Sequence, residues 1–190
     1  MIEGFTVYRG FGQDLDFNAI RSLISWEART TRVYGREVAV PRLTAWYGSA
    51  PYRYSGIDHA VAALPPALEE IRGRLAELCC APFNSVLANL YRTGRDSVGW
   101  HSDDEPELGA QPVIASLSLG ATRCFAVRRR GETTRCGAWD LAHVDLVVMS
   151  GRSQLDFQHA VPKSLRLGGR AVGERINLTF RVTAAVRLAA

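Results

Sequence analysis

The stretch Arg175-Ile176-Asn177-Leu178-Thr179-Phe180-Arg181 alternates polar and apolar side chains without a fault. Successive side chains of an extended chain leave opposite faces, so the pattern dictates a β-strand with Ile176, Leu178 and Phe180 on one face and Arg175, Asn177, Thr179 and Arg181 on the other. The apolar face has to cover the core of a sheet, and the polar face needs water or a ligand. An arginine fork matches a carboxylate with two parallel hydrogen bonds, so this polar face suits an acidic ligand. The two arginines stand about 20 Å apart along an extended strand, and they serve one small diacid only if both side chains lean inward. An exposed edge strand with solvated arginines is the alternative reading.

A second constellation lies in Trp100-His101-Ser102-Asp103-Asp104-Glu105. His101 and Asp103, two residues apart, share one face of an extended segment and can chelate one ion. Only His143 and His159 follow them as candidates for a third ligand. His159 precedes Ala160-Val161-Pro162, where the approaching proline discourages helix and keeps the imidazole in extended chain. His143 lies in a turn with no chelating neighbour. Two histidines and a carboxylate with open positions form the facial triad of non-haem Fe(II) oxygenases. The bland alternative is a surface histidine beside an acidic turn. Asn89 and Tyr91 add neutral hydrogen-bonding groups on one strand face. A metal triad, two arginines, an Asn and a Tyr together suit a dicarboxylate whose 2-oxo acid end chelates iron, which predicts 2-oxoglutarate.

The 190 residues suit one domain. An apolar content of 47% with 22% charged residues is ordinary for a soluble protein, and no apolar run of about 18 residues suggests a membrane span. The N-terminus lacks the pattern of a secretory signal. Cys79, Cys80, Cys124 and Cys136 show no Cys-x-x-Cys spacing, so reduced thiols in a cytoplasmic monomer are expected.

Periodicity predicts a helix over residues 15–30 with Asp14 as N-cap, a short hairpin over 31–40 around Gly35, and a second helix over 66–80 with Leu68, Ile71, Leu75 and Leu78 on its buried face. Short strands follow over 86–91, 113–119, 124–127, 144–149 and 175–181. The fold class is therefore mainly β with flanking helices, a sandwich or jelly roll.

Residues 41–56 place Trp46, Tyr47, Tyr52 and Tyr54 between Arg42 and Arg53, with Gly and Pro breaking any long element. Aromatic faces interleaved with arginines suit stacking of unpaired bases and neutralisation of phosphates. An aromatic core strand with snorkelling arginines is the competing reading. Arg128, Arg129 and Arg130, with Lys163, Arg166 and Arg170, Arg152 and the arginines above, form either solvated turns or the rim of a phosphate groove. A net charge of +4 permits such a partner without demanding one.

The order Asn-x-Tyr, His-x-Asp, His, Arg-x-Asn-x-x-x-Arg resembles the AlkB family of Fe(II)/2-oxoglutarate dioxygenases, from about Pro41 to Arg181. Its most specific segments are Pro41-Arg42-Leu43-Thr44-Ala45-Trp46-Tyr47-Gly48, Asn89-Leu90-Tyr91-Arg92, Trp100-His101-Ser102-Asp103-Asp104-Glu105-Pro106 and Asn177-Leu178-Thr179-Phe180-Arg181. They look like the eukaryotic-type subgroup that favours single-stranded DNA and RNA. The resemblance implies a double-stranded β-helix (jelly roll), with residues 1–60 as an N-terminal extension and nucleotide-recognition lid and 61–190 as a helix plus the dioxygenase core. It implies Fe(II) on His101, Asp103 and His159, with 2-oxoglutarate and O2 as co-substrates. Arg175 and Tyr91 would hold the distal carboxylate, Arg181 and Asn89 the carboxylate beside iron, with Asn177 in support. One of Trp46, Tyr47, Tyr52 or Tyr54 would clamp the base, beside Arg42 and Glu105. Phe157 stands where relatives often have Trp, which bears on pocket shape. The implied activity is oxidative demethylation of 1-methyladenine and 3-methylcytosine in single-stranded DNA or RNA, as alkylation repair. A dioxygenase acting in RNA modification or on a non-nucleic-acid substrate, a metal-dependent hydrolase and a binding module with a structural metal are the rival readings.

Overall fold

The computed structural model describes residues 2–33, 35–48, 52–54, 57–59 and 62–184. Along them run β1 (Phe5–Tyr8), α1 (Phe17–Leu23), β2 (Glu27–Val33), β3 (Arg36–Gly48), β4 (Tyr52–Tyr54), β5 (Ile57–His59), α2 (Pro66–Cys79), β6 (Ser85–Tyr91), β7 (Val98–His101), β8 (Ile114–Gly120), β9 (Arg123–Arg129), β10 (Arg135–Leu141), β11 (Leu146–Met149), α3 (Ser153–Asp156), β12 (Phe157–Val161), β13 (Arg166–Leu167), β14 (Arg170–Ala171) and β15 (Arg175–Arg181). A seven-stranded major sheet has the order β1-β11-β8-β15-β6-β3-β2, and a four-stranded minor sheet the order β10-β9-β12-β7. The two form the double-stranded β-helix.

The alternating strand β15 is central in the major sheet, paired along its length with β6 and over most of it with β8. All seven of its residues are buried, so the edge-strand reading is wrong. Ile176, Leu178 and Phe180 join a core with Val86, Ala88 and Leu90 of β6 and Leu68, Ile71 and Leu75 of α2. Each buried Leu or Ile contributes about 1.5–3 kcal/mol. The polar face of β15 is buried as well and looks towards the minor sheet, beside Ser116 and Ser118 of β8. Phe125, Val127, Phe157 and Val161 of the minor sheet pack with Phe5, Ile114 and Met149 to close the rest of that interior.

Several boundaries differ from expectation. The first helix ends at Leu23, and Asp16 caps it, its Oδ1 accepting from the Ala19 N–H at 2.6 Å. Asp14 instead pairs with Arg74 at 2.7 Å. Residues 27–33 carry Thr30, Thr31 and Val33, whose branched side chains favour a strand, and they join the hairpin with β3. That hairpin turns at Gly35, whose φ of +76° suits glycine. β3 runs thirteen residues, straight through Pro41. Its register with β2 shifts between the pairs Thr30↔Ala39 and Ala28↔Leu43, and Pro41 falls within that bulge, where a missing N–H breaks no ladder bond. Leu78 is 40% exposed and does not belong to the buried face of α2. The first 60 residues thus contribute three strands to the major sheet before β4 and β5 form a separate hairpin. No helix among the described residues is long and apolar enough to cross a membrane.

Candidate active site

His101 ends β7 and pairs directly with His159 of β12, so two imidazoles separated by 57 intervening residues meet across one ladder. Their ring centroids are 4.2 Å apart, and His159 also stacks on Phe125 at 5.2 Å. Asp103 follows as the chain leaves β7, and its N–H donates to Gln154 Oε1 at 2.9 Å. One ligand atom from each of His101, Asp103 and His159 lies within 4.8 Å of the others. His101 Nδ1 lies 2.9 Å from the Gly99 carbonyl, so the proton belongs on Nδ1 and Nε2 keeps its lone pair, 3.8 Å from Asp103 Oδ1.

Electrostatics put all three in the state a metal needs. Burial opposes charge on Asp103, but Arg181 and the two imidazoles outweigh it and hold the carboxyl at about 2. Arg181 Nη2 lies 2.9 Å from Asp103 Oδ2, both side chains being almost wholly buried. Burial, and then the neighbouring His101, push His159 down to about 3. Burial also lowers His101. At neutral pH the cluster is one carboxylate and two neutral imidazoles, the protonation that metal binding demands. Asp103 Oδ1 and His159 Nδ1 are buried without hydrogen-bond partners, which costs about 1–3 kcal/mol apiece unless something else satisfies them. A divalent metal fits this donor set.

The same cavity is lined by every residue expected to hold the dicarboxylate. Arg175 is 1% exposed, lies 5.2 Å from the Tyr91 ring centre and donates from Nη2 to Ser118 Oγ at 2.8 Å. Its Nε and Nη1 have no hydrogen-bond partner, and no acidic side chain pairs with it among the described residues. Burial lowers its pKa to about 10 against the pull of Tyr91. A buried cation with open donors calls for an anion. Asn177 is committed to the fold: Nδ2 donates to Ser116 Oγ at 2.8 Å and the Leu117 carbonyl at 3.2 Å, while Oδ1 accepts from Thr179 Oγ1 at 3.0 Å.

The residues expected to meet a base scatter more widely. Arg42 is buried, not at a phosphate rim: its Nε donates to Asn89 Oδ1 at 2.6 Å and its Nη1 to the Ser97 carbonyl at 3.3 Å. Trp46 is 6% exposed and packs with Leu87 and Leu108, because β3 aims it into the interior beside Thr44. Tyr47 leaves the other face for the main core, and its hydroxyl accepts from the Ser25 N–H at 3.3 Å. Both are packed inside the protein, Trp46 against Leu87, which lines the cavity, and Tyr47 against the main core. The side chains of Tyr52 and Tyr54 lie outside the described residues. Glu105 is half-buried and does not line the cavity. Arg128 binds Gln158, Arg129 lies over Phe157, Arg130 pairs with Asp104 and Arg152 with Asp156, so these arginines are held by neighbours.

Arg123 was not anticipated. It is 1% exposed, lies 5.3 Å from the other neighbour of Arg175, the Tyr91 ring, and donates to the carbonyls of Thr93 (3.3 Å), Asp96 (2.7 Å) and Pro162 (2.8 Å). The signal was present, since alternation in β9 puts Arg123 on the same face as Phe125 and Val127. Gln154, which pins Asp103, left no such mark in the sequence.

A family model described as the 2OG-Fe(II) oxygenase superfamily matches residues 7–181. The human alpha-ketoglutarate-dependent dioxygenase alkB homolog 3 is 43% identical over 167 residues, covering 83% of this chain and 57% of that protein. The mouse DNA oxidative demethylase ALKBH2 is 37% identical over 159 residues, covering 79% of this chain and 65% of that protein. The chain therefore spans little more than half the length of the human relative. A solved structure described as that of OsALKBH1 matches with a TM-score of 0.66 over 95% of this chain and 99% of that one, at 17% identity, a likeness of fold.

Proposed function

The chain belongs to the 2OG-Fe(II) oxygenase superfamily, and from that membership and its site we propose that it demethylates N-alkylated bases of single-stranded DNA or RNA, using Fe(II), 2-oxoglutarate and O2. One observation carries the reading: an iron-type ligand cluster and an unpaired buried arginine open into the same cavity. A hydrolytic zinc site has no use for Arg175, so the hydrolase reading leaves that charge unexplained.

When bound, Fe(II) with 2-oxoglutarate and O2 supplies an oxidant that hydroxylates the N-methyl carbon, after which formaldehyde leaves the base and 2-oxoglutarate ends as succinate and CO2. His101, Asp103 and His159 would hold the metal and leave positions open. Arg175 would take the distal carboxylate of 2-oxoglutarate, with Tyr91 packed against it. Arg181, already oriented by Asp103, and Asn89 would meet the carboxylate beside the metal. Arg42 fixes the Asn89 amide: because Oδ1 is occupied by the Arg42 Nε–H, the two Nδ2 donors are left for a ligand. Arg42 is thus a positioning residue.

The name of the mouse relative, a DNA oxidative demethylase, supports a nucleic-acid substrate. A base inside a duplex has to be unpaired before its methyl group can be aimed, at a cost of a few kcal/mol. We place the protein in alkylation repair, as a cytoplasmic monomer. Demethylation rates on matched single- and double-stranded oligonucleotides carrying 1-methyladenine or 3-methylcytosine, at fixed ionic strength, test the preference. A faster rate on duplex would reject it.

A further inference from the structure

The metal cluster occupies the inner face of the minor sheet, and the outer face of the same sheet carries an aromatic platform. Trp100 and His101 are neighbours on β7, so their side chains leave opposite faces. β7 is also one of the sheet's two edge strands. The Arg128 guanidinium of β9 lies 4.5 Å from the indole centre. Its Nε and Nη2 both donate to Gln158 Oε1, at 3.0 and 2.8 Å, which fixes the cation against the ring. The indole is therefore pre-positioned by a cation–π contact.

Trp100 is at the same time one wall of an open groove of about 340 Å³. Ala126 and Ala160, paired on β9 and β12 and almost wholly buried, close its base, and Pro162, Arg135 and Lys163 complete the walls. Arg128 is not among the walls, so it backs the indole without filling the groove. None of the lining residues is acidic, and Arg135 and Lys163 are exposed. A half-buried aromatic wall and two exposed cations match one nucleotide, whose base stacks on the indole and whose phosphate meets the positive charge.

We propose that this groove holds an unmodified nucleotide of the single-stranded substrate, stacked on Trp100, while the alkylated base of the same strand is presented at the metal cluster. The strand would pass around β7, the one strand of sheet separating the two places. This inference rests on the nucleic-acid reading above and adds to it a second site of contact, separate from the reaction. It also gives the exposed cations a shared task that the isolated basic turns lack.

The test is binding of unmethylated oligothymidylate, about ten nucleotides long on the scale of single-strand sites, to the full chain, followed by fluorescence anisotropy and by indole emission. Stacking at about 1–3 kcal/mol per base makes the affinity of Trp100→Ala fall roughly 5- to 150-fold, with Trp100→Phe falling less. Lys163→Glu should weaken binding and make the log-log salt slope shallower by about 0.7. Unchanged affinity in folded Trp100→Ala overturns the inference. If that variant does not fold, unchanged affinity and salt slope in Lys163→Glu, with unchanged indole emission of the wild type on binding, overturn it. Equal binding of oligoglutamate and oligothymidylate by the wild type would mean a site for acidic peptides, and also overturns it. Turnover of a methylated trinucleotide keeps the two ideas apart. Turnover with no Trp100 effect leaves the proposed function standing alone, whereas no turnover and no oligonucleotide binding removes both.

Discussion

Replacing Arg175 by Met should weaken 2-oxoglutarate binding while leaving the stability of the ligand-free protein nearly unchanged. Burial lowers this guanidinium from its ordinary value to about 10, which costs the fold about 3 kcal/mol. The cost is present in full at neutral pH, because folded and unfolded chains both carry the charge below pH 10, and it would fade only above about pH 10. Against it stands the bond to Ser118, about 1.5–3 kcal/mol for a charged donor. The two sides nearly cancel, and Met fills much of the same volume. The melting temperature of the ligand-free variant should therefore move by no more than about 4–8 °C, at 2–4 °C per kcal/mol. With ligand, each lost charge-assisted bond costs about 1.5–3 kcal/mol, or roughly 10- to 150-fold in affinity. Lysine should rescue only in part, since it lacks the planar fork. Thermal unfolding and calorimetric titration of 2-oxoglutarate measure the two quantities. A variant that loses more than about 3 kcal/mol of stability yet binds 2-oxoglutarate like the wild type would refute the reasoning, because Arg175 would then be a structural cation.

His101→Ala and His159→Ala should abolish turnover and keep the fold, with His143→Ala, whose Nδ1 accepts from the Gly120 N–H, retaining activity. Asp103→Ala should also lose about 3–5 kcal/mol of stability, because it removes the carboxylate from a buried ion pair with Arg181; circular dichroism melts alongside metal binding separate the two effects. The metal-free protein should lose stability as pH falls. Unfolded histidine takes up a proton below about 6.5 while His159 resists to about 3, and Asp103 adds a loss between 3.8 and about 2. Melting temperatures across that range should fall less steeply for His159→Phe, and an unaltered slope would contradict the assignment. Trp46→Ala should destabilise by about 3–5 kcal/mol, as a core truncation does, and a variant with wild-type melting behaviour would return Trp46 to the surface.

The site was legible in the sequence wherever its residues sit on strands, since a period of two is enough to say that Arg175, Asn177 and Arg181 share a face, and that His101 can join Asp103. Where that face looks is a tertiary fact. Only the position of β15 between β6 and β8 turns an apparently solvated row into the wall of a cavity. The aromatic stretch is legible only in part for the same reason: Trp46 and Tyr47 occupy alternate faces of one long strand, Trp46 towards the cavity-lining Leu87 and Tyr47 towards the main core. Pro41 sits in a bulge through which β3 continues, which no local pattern reveals. The helical period runs on through Trp26 and carries the expected helix to residue 30, although the branched Thr30 favours the strand that β2 forms from Glu27.

The central claim is tested most directly by counting products from one single-stranded oligonucleotide carrying 3-methylcytosine, incubated with the protein, Fe(II), 2-oxoglutarate and O2. Loss of the methyl group, seen as a shift in oligonucleotide mass, should be matched by equal amounts of formaldehyde and succinate and should stop when either iron or 2-oxoglutarate is withheld. Methyl loss that continues without 2-oxoglutarate, or succinate formation with the methyl group left in place on every methylated strand offered, would contradict the account.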